Sequence, residues 1–118
     1  MHELSLAESL VELVLESVPE GEQQRLIREV HVGVGRMAGV VADSLEFCFT
    51  TLIEQSPFPQ ARLVLTEIPL RLHCRDCQQE VVSERDDFLC PHCQAASTTV
   101  LSGMELQLQS IALTDVEA

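Results

Sequence analysis

The chain has 118 residues, a formal charge of -12, and 46% hydrophobic but only 3% aromatic residues. That length makes one domain, or one domain with a small insert, and it buries roughly two-thirds of the unfolded surface without a staple. Acidity of this degree excludes generic binding to phosphate backbones, and a chain without Trp or Tyr has no aromatic platform for single-stranded nucleic acid.

The opening, Met1-His2-Glu3-Leu4, lacks the positive flank and cleavage site of a secretory signal. No apolar run reaches the ~20 residues of a membrane span, so a soluble, cytoplasmic protein is expected. Ser5-Leu6-Ala7-Glu8 has the form of a capping box and starts a helix. Leu6, Leu10, Leu13 and Val14 recur at helical spacing, and Glu8, Glu12 and Glu16 share another face. Pro19 and Gly21 stop the helix near Ser17. On this reading the first four residues lie outside it, with the α-amine and His2 at an accessible tip. An amine titrating near pH 8, neighbouring backbone amides and an imidazole can surround one ion with nitrogen in a nearly square plane. That geometry suits nickel(II) or copper(II), although a histidine at position two also describes an ordinary chain end.

From Gln24 to Val34 the period becomes two. Val30, Val32 and Val34 alternate with Glu29, His31 and Gly33, which predicts a strand with His31 facing the surface. Gly35 and Gly39 mark a loop, and a second helix is expected over residues 40–54 on Leu45, Phe49, Leu52 and Ile53. Cys48 within it reads as a small packing residue. Ser56-Pro57-Phe58-Pro59 breaks that helix, and residues 61–68 form a second strand. Strand, helix and strand in succession imply a right-handed crossover between parallel strands. After Gly103 the chain alternates again through Leu113, and this last strand is expected to rejoin the first sheet. The fold class is therefore α+β: two helices on a small mixed three-stranded sheet, with an inserted zinc-ribbon-like four-cysteine module. Residues 1–69 plus 104–118 make one domain and residues 70–103 the other.

Cys74-Arg75-Asp76-Cys77 and Cys90-Pro91-His92-Cys93 are two C-x-x-C pairs separated by 12 residues. Each pair binds one ion from a single tight turn, and two turns brought together by a hairpin complete a tetrahedron. Val81 and Val82 on one side, and Phe88 and Leu89 on the other, are expected to form that hairpin. Two disulfides or a rubredoxin-type iron are the competing readings; the scarcity of aromatics around the site favours zinc. Four protein ligands leave no open position, which makes the site structural, and apo protein should lose order there first. His73 and His92 either hydrogen-bond to sulfur, face solvent, or replace a cysteine under acid or oxidation.

Taken together, these residues resemble the HypA/HybF family of hydrogenase nickel-incorporation proteins. The resemblance rests on Met1-His2-Glu3-Leu4-Ser5-Leu6-Ala7, Val32-Gly33-Val34-Gly35, Leu45, Phe47 and Phe49, the paired cysteines with Pro91, and Ser102-Gly103-Met104-Glu105-Leu106. It implies a nickel metallochaperone, not an enzyme, with nickel(II) as cargo held by His2 and by nitrogen donors of Met1 and Glu3. Zinc(II) is implied at Cys74, Cys77, Cys90 and Cys93, so residues 1–69 plus 104–118 become the nickel-binding domain and 70–103 the zinc-binding domain. The implied partners are the GTPase HypB, the large subunit of NiFe-hydrogenase and, for some members, the urease maturation proteins. This chain departs from many relatives in having Gln94-Ala95 after the last cysteine, where they have Gly-Ser. The alternative function is a zinc-ribbon adaptor without metal cargo, which would need the cysteines and be indifferent to the N-terminus. A metal-dependent hydrolase finds no open metal position and no catalytic constellation.

Overall fold

In the computed structural model, residues 3–114 are described. The elements run α1 (Glu3–Ser17), α2 (Glu22–Arg25), β1 (Ile27–Gly35), α3 (Ala42–Ile53), β2 (Arg62–Ile68), β3 (Leu70–Cys74), β4 (Gln79–Ser83), β5 (Thr98–Ser102) and β6 (Leu106–Leu113). They make two three-stranded sheets, ordered β2-β1-β6 and β4-β3-β5. The final strand does lie beside β1, so the cysteine segment is an insertion within an α+β fold. The chain divides into two compact units. The first holds the chain up to Val32, Val40–Thr66 and the chain from Gln107 on; the second holds Gly33–Gly39 and Glu67–Leu106.

In the first unit α1 and α3 pack against each other. Their buried residues are Ala7, Leu10 and Val14 on α1 and Leu45, Phe49 and Ile53 on α3, beside Ile27, Val30 and Val32 of β1. The buried face of α1 is therefore rotated from the one expected, since Leu13 is 44% exposed. Ala7, Leu10 and Val14 make the buried face, which leaves Leu13 on its flank. The helix also starts earlier than the capping box at Ser5 implied, because Glu3 and Leu4 are already helical. Glu3 anchors that end, its Oε2 accepting the Val41 N–H at 3.0 Å just where α3 begins. The short α2 was not expected. Glu22-Gln23-Gln24-Arg25 has no apolar periodicity, and its one buried residue, Gln24, is held by Nε2 donating to the Val18 carbonyl at 3.0 Å.

In the second unit β3 pairs antiparallel with β4, Leu72 opposite Val81 and Cys74 opposite Gln79. On its other side β3 pairs with β5, with a bulge at Arg71/Leu72. Leu70, Leu72 and Val81 form the core, covered by Met37 and Phe88. Phe88 and Leu89 are not strand residues, contrary to expectation; the hairpin is β3–β4, closed directly by the first cysteine turn. Between Ser83 and Cys90 the backbone instead bonds to side chains. Arg85 N–H donates to Ser83 Oγ at 3.1 Å and Leu89 N–H to Asp87 Oδ1 at 3.1 Å, while Phe88 takes φ 62. Gly35 and Gly103, which punctuate two separate motifs, come together here. Gly35 N–H donates to the Glu105 carbonyl at 2.7 Å and Met37 N–H to the Gly103 carbonyl at 2.8 Å. A Cβ on Gly35 would lie 2.7 Å from Met104 N and closer still to the Gly103 carbonyl.

Candidate metal centre

Both cysteine pairs sit on turns of one design. Cys74 ends β3, and the chain turns so that Gln78 N–H donates to the Cys74 carbonyl at 2.8 Å. The second turn repeats this, Gln94 N–H donating to the Cys90 carbonyl at 2.8 Å. Gln78 (φ 59) and Gln94 (φ 66) both take the left-handed conformation immediately after the second cysteine of their pair. A glycine would do this without Cβ strain, so the departure at Gln94 alters the cost of the turn and leaves its shape intact. Arg75 N–H donates to the Ser97 carbonyl at 2.9 Å, and Thr98 Oγ1 to the Phe88 carbonyl at 2.6 Å. These bonds hold the second turn over the end of β3.

The result brings Cys74, Cys77, Cys90 and Cys93 together, their four sulfur atoms within 4.8 Å of one another. Sγ of Cys74 is 3.6 Å from that of Cys93, and Sγ of Cys77 is 3.8 Å from that of Cys90. A disulfide needs about 2.05 Å, so these are free thiols. A tetrahedral ion with metal–sulfur bonds of about 2.3 Å has sulfur–sulfur edges of roughly 3.8 Å, and the cluster fits that figure. Cys74 and Cys90 are buried, Cys77 is half-buried and Cys93 is exposed.

The electrostatics also call for a cation. The backbone N–H of Cys93, and then that of His92, points at the Cys90 sulfur, which lowers that thiol to about 7 against the opposing effect of burial. Contact with the Cys74 sulfur, burial and the Cys90 sulfur push the Cys77 thiol up to about 12. At Cys93 the Ala95 N–H pulls downward, but the Cys74 sulfur and burial outweigh it and the thiol is raised. One thiolate therefore forms near neutrality and the next are resisted by it. A divalent ion reverses that resistance by stabilising all four charges.

Neither imidazole beside the cluster bonds to sulfur. His73 is half-buried on β3, opposite Glu80 and Thr99, and His92 is exposed within its turn. His31 is half-buried, its Nε2 2.9 Å from Glu29 Oε1, while Arg62 pairs with the other Glu29 oxygen at 2.8 Å. The Arg62 bond first, then the His31 bond, hold the Glu29 carboxyl below its usual range. Cys48 is half-buried on α3 and is not one of the four clustered cysteines. Of the residues expected to hold nickel, Met1 and His2 lie outside the described residues, and Glu3 is the first residue of α1. The pair Gln78 and Gln94 was not anticipated, and the available signal was positional, since each directly follows a completed C-x-x-C.

A family model described as hydrogenase/urease nickel incorporation, metallochaperone, hypA matches residues 1–113. The hydrogenase maturation factor HypA of Desulfosudis oleivorans is 35% identical over 113 residues, covering 96% of this chain and 98% of that protein. The protein of the same name from Chloroflexus aurantiacus is 37% identical over 112 residues, covering 94% and 97%. Among solved structures, the solution structure of the nickel metallochaperone HypA from Helicobacter pylori superposes with a TM-score of 0.68 at 27% identity, covering 96% of this chain and 97% of that one.

Proposed function

The chain belongs to the HypA family of hydrogenase/urease nickel-incorporation metallochaperones, which are not enzymes, and on that premise we propose that it carries nickel(II) at its N-terminus. The observation that carries this reading is the family match, which runs from residue 1. Met1 supplies the α-amine, His2 its amide and imidazole, and Glu3 its amide nitrogen. The start of α1 at Glu3 supports that assignment. Amides of a first helical turn have no carbonyl partner within the helix, so a metal takes the place of their protons without breaking a helical bond.

Cys74, Cys77, Cys90 and Cys93 hold zinc(II), which when bound cross-links the two turns and closes the site to substrate. Labour is thus divided between a nickel-binding part, residues 1–69 with 104–118, and a zinc-binding part, 70–103. The cargo goes to the NiFe-hydrogenase large subunit with the GTPase HypB as co-worker, or to urease maturation proteins, in the cytoplasm. No helix among the described residues is long and apolar enough to cross a membrane.

Nickel titration of zinc-loaded His2→Ala protein tests the reading. Loss of nickel binding with an unchanged circular dichroism spectrum is expected; wild-type affinity in that variant refutes the assignment.

A further inference from the structure

The first unit carries a surface that metal binding does not use. Among the described residues β2 is paired on one side only, to β1, so its other edge is open. Edge strands are usually blunted by lysine, proline or inward charges. β2 reads Arg62-Leu63-Val64-Leu65-Thr66-Glu67-Ile68, with no proline or lysine and an uncharged middle. Alongside runs α3, and between them lies a groove of about 380 Å³ lined by Glu46, Phe47, Thr50, Arg62 and Leu63.

Phe47 is 72% exposed over this groove. The chain has four phenylalanines and no other aromatic; Phe49 and Phe58 are buried in the core and Phe88 covers the second unit's core. Nothing in the fold accounts for placing the fourth in water. A helix beside an open strand edge is the arrangement that receives an extended peptide by strand addition: main-chain bonds give affinity, and alternate side chains enter the groove.

Charge selects the occupant. Arg62 is already paired with Glu29 at 2.8 Å, so Glu46 is the groove's other charged lining residue, on a helix that carries no basic residue. A second copy of this chain would bring another charge of -12 against the same wall. We propose that the groove between α3 and the edge of β2 docks an extended, basic segment of a partner protein, an apolar side chain of that segment resting on Phe47 and Leu63. The docking requires no nickel and stands apart from the metal reading.

The test uses nickel-free, zinc-loaded full-length protein labelled with nitrogen-15. The probe is a capped synthetic peptide of about eight residues alternating valine and arginine, compared with its valine–glutamate counterpart. The arginine peptide should give saturable shifts confined to the amides of residues 62–66 and of α3 around Phe47, and the glutamate peptide none. Phe47→Ala should weaken binding about tenfold and Glu46→Lys should do likewise, both melting as the wild type does. The proposal is overturned by shifts on the acidic face of α1, by equal response to both peptides, or by no saturable response. An unaffected Phe47→Ala overturns it too, as do β2 shifts that follow protein concentration without peptide, which would make a second copy the occupant.

Discussion

Gly35→Ala should be a severely damaging single-methyl change in the second unit, and its size can be worked out from the contacts. Its Cβ would stand 2.7 Å from Met104 N and inside the Gly103 carbonyl. Both are main-chain atoms of the bend between β5 and β6, so no flexible side chain can yield. Separation breaks the Gly35–Glu105 and Met37–Gly103 bonds, at 2.7 and 2.8 Å, each contributing about 1 kcal/mol. Overpacking adds about 1–3 kcal/mol, for a total of about 3–5 kcal/mol against the roughly 5–15 kcal/mol that holds a small domain. With a urea slope of about 1–3 kcal/mol/M, the midpoint of zinc-loaded protein should fall by roughly 2 M. Gly39→Ala is the comparison: nothing lies within 4 Å of its Cβ, but φ is +75, so only a conformational cost of about 1–2 kcal/mol applies. If Gly35→Ala costs no more than Gly39→Ala by urea titration, close backbone approach is not what glycine provides there.

Gln94→Gly should stabilise the zinc-loaded protein by about 0.5–1 kcal/mol, the relief of left-handed strain less the added unfolded-state freedom; an unchanged or lower midpoint would deny the strain. Chelation, or Cys77→Ser, should abolish bound zinc by elemental analysis and speed amide exchange across residues 67–106 while α1 and α3 stay protected; uniform loss would contradict a local structural role. The Gly103 N–H, the other nearby amides adding to it, holds the Glu105 carboxyl below its ordinary 4.5. Because the folded value is the lower one, the stability it contributes is complete above about pH 5 and is lost as pH falls through that value. A carbon-13 titration should place the Glu105 midpoint below 4.5, and Glu105→Gln should flatten the acid limb of the stability curve. A midpoint at or above the ordinary value would refute the bond.

Spacing and alternation made most of the molecule legible. The cysteine pairs, the two long helices and a final strand after Gly103 all follow from local patterns with an obvious period, and its place beside β1 came from the sheet order. What stayed hidden depended on partners distant in sequence. The buried face of α1 goes with its packing against α3, and its earlier start with a bond that Glu3 accepts from Val41, 38 residues away. Neither leaves a trace in the α1 pattern itself. Phe88 and Leu89 look like a strand, but Ser83 and Asp87 side chains claim the backbone there. Gly35 reads as a loop marker until Gly103 is seen against it. The four-cysteine site was readable because its ligands come from two short turns, whereas the groove at β2 needs strand order, and strand order is a tertiary fact.

The central claim, nickel carried at the N-terminus, is tested most directly by calorimetric titration of nickel(II) into zinc-loaded protein with its authentic start and with a two-residue extension. Tight binding at one site that the extension destroys is the predicted result, since the extension removes the α-amine and displaces His2 from second position. Equal binding by both proteins would place the nickel elsewhere than the N-terminus, and binding by neither would remove the cargo; either result would contradict the account.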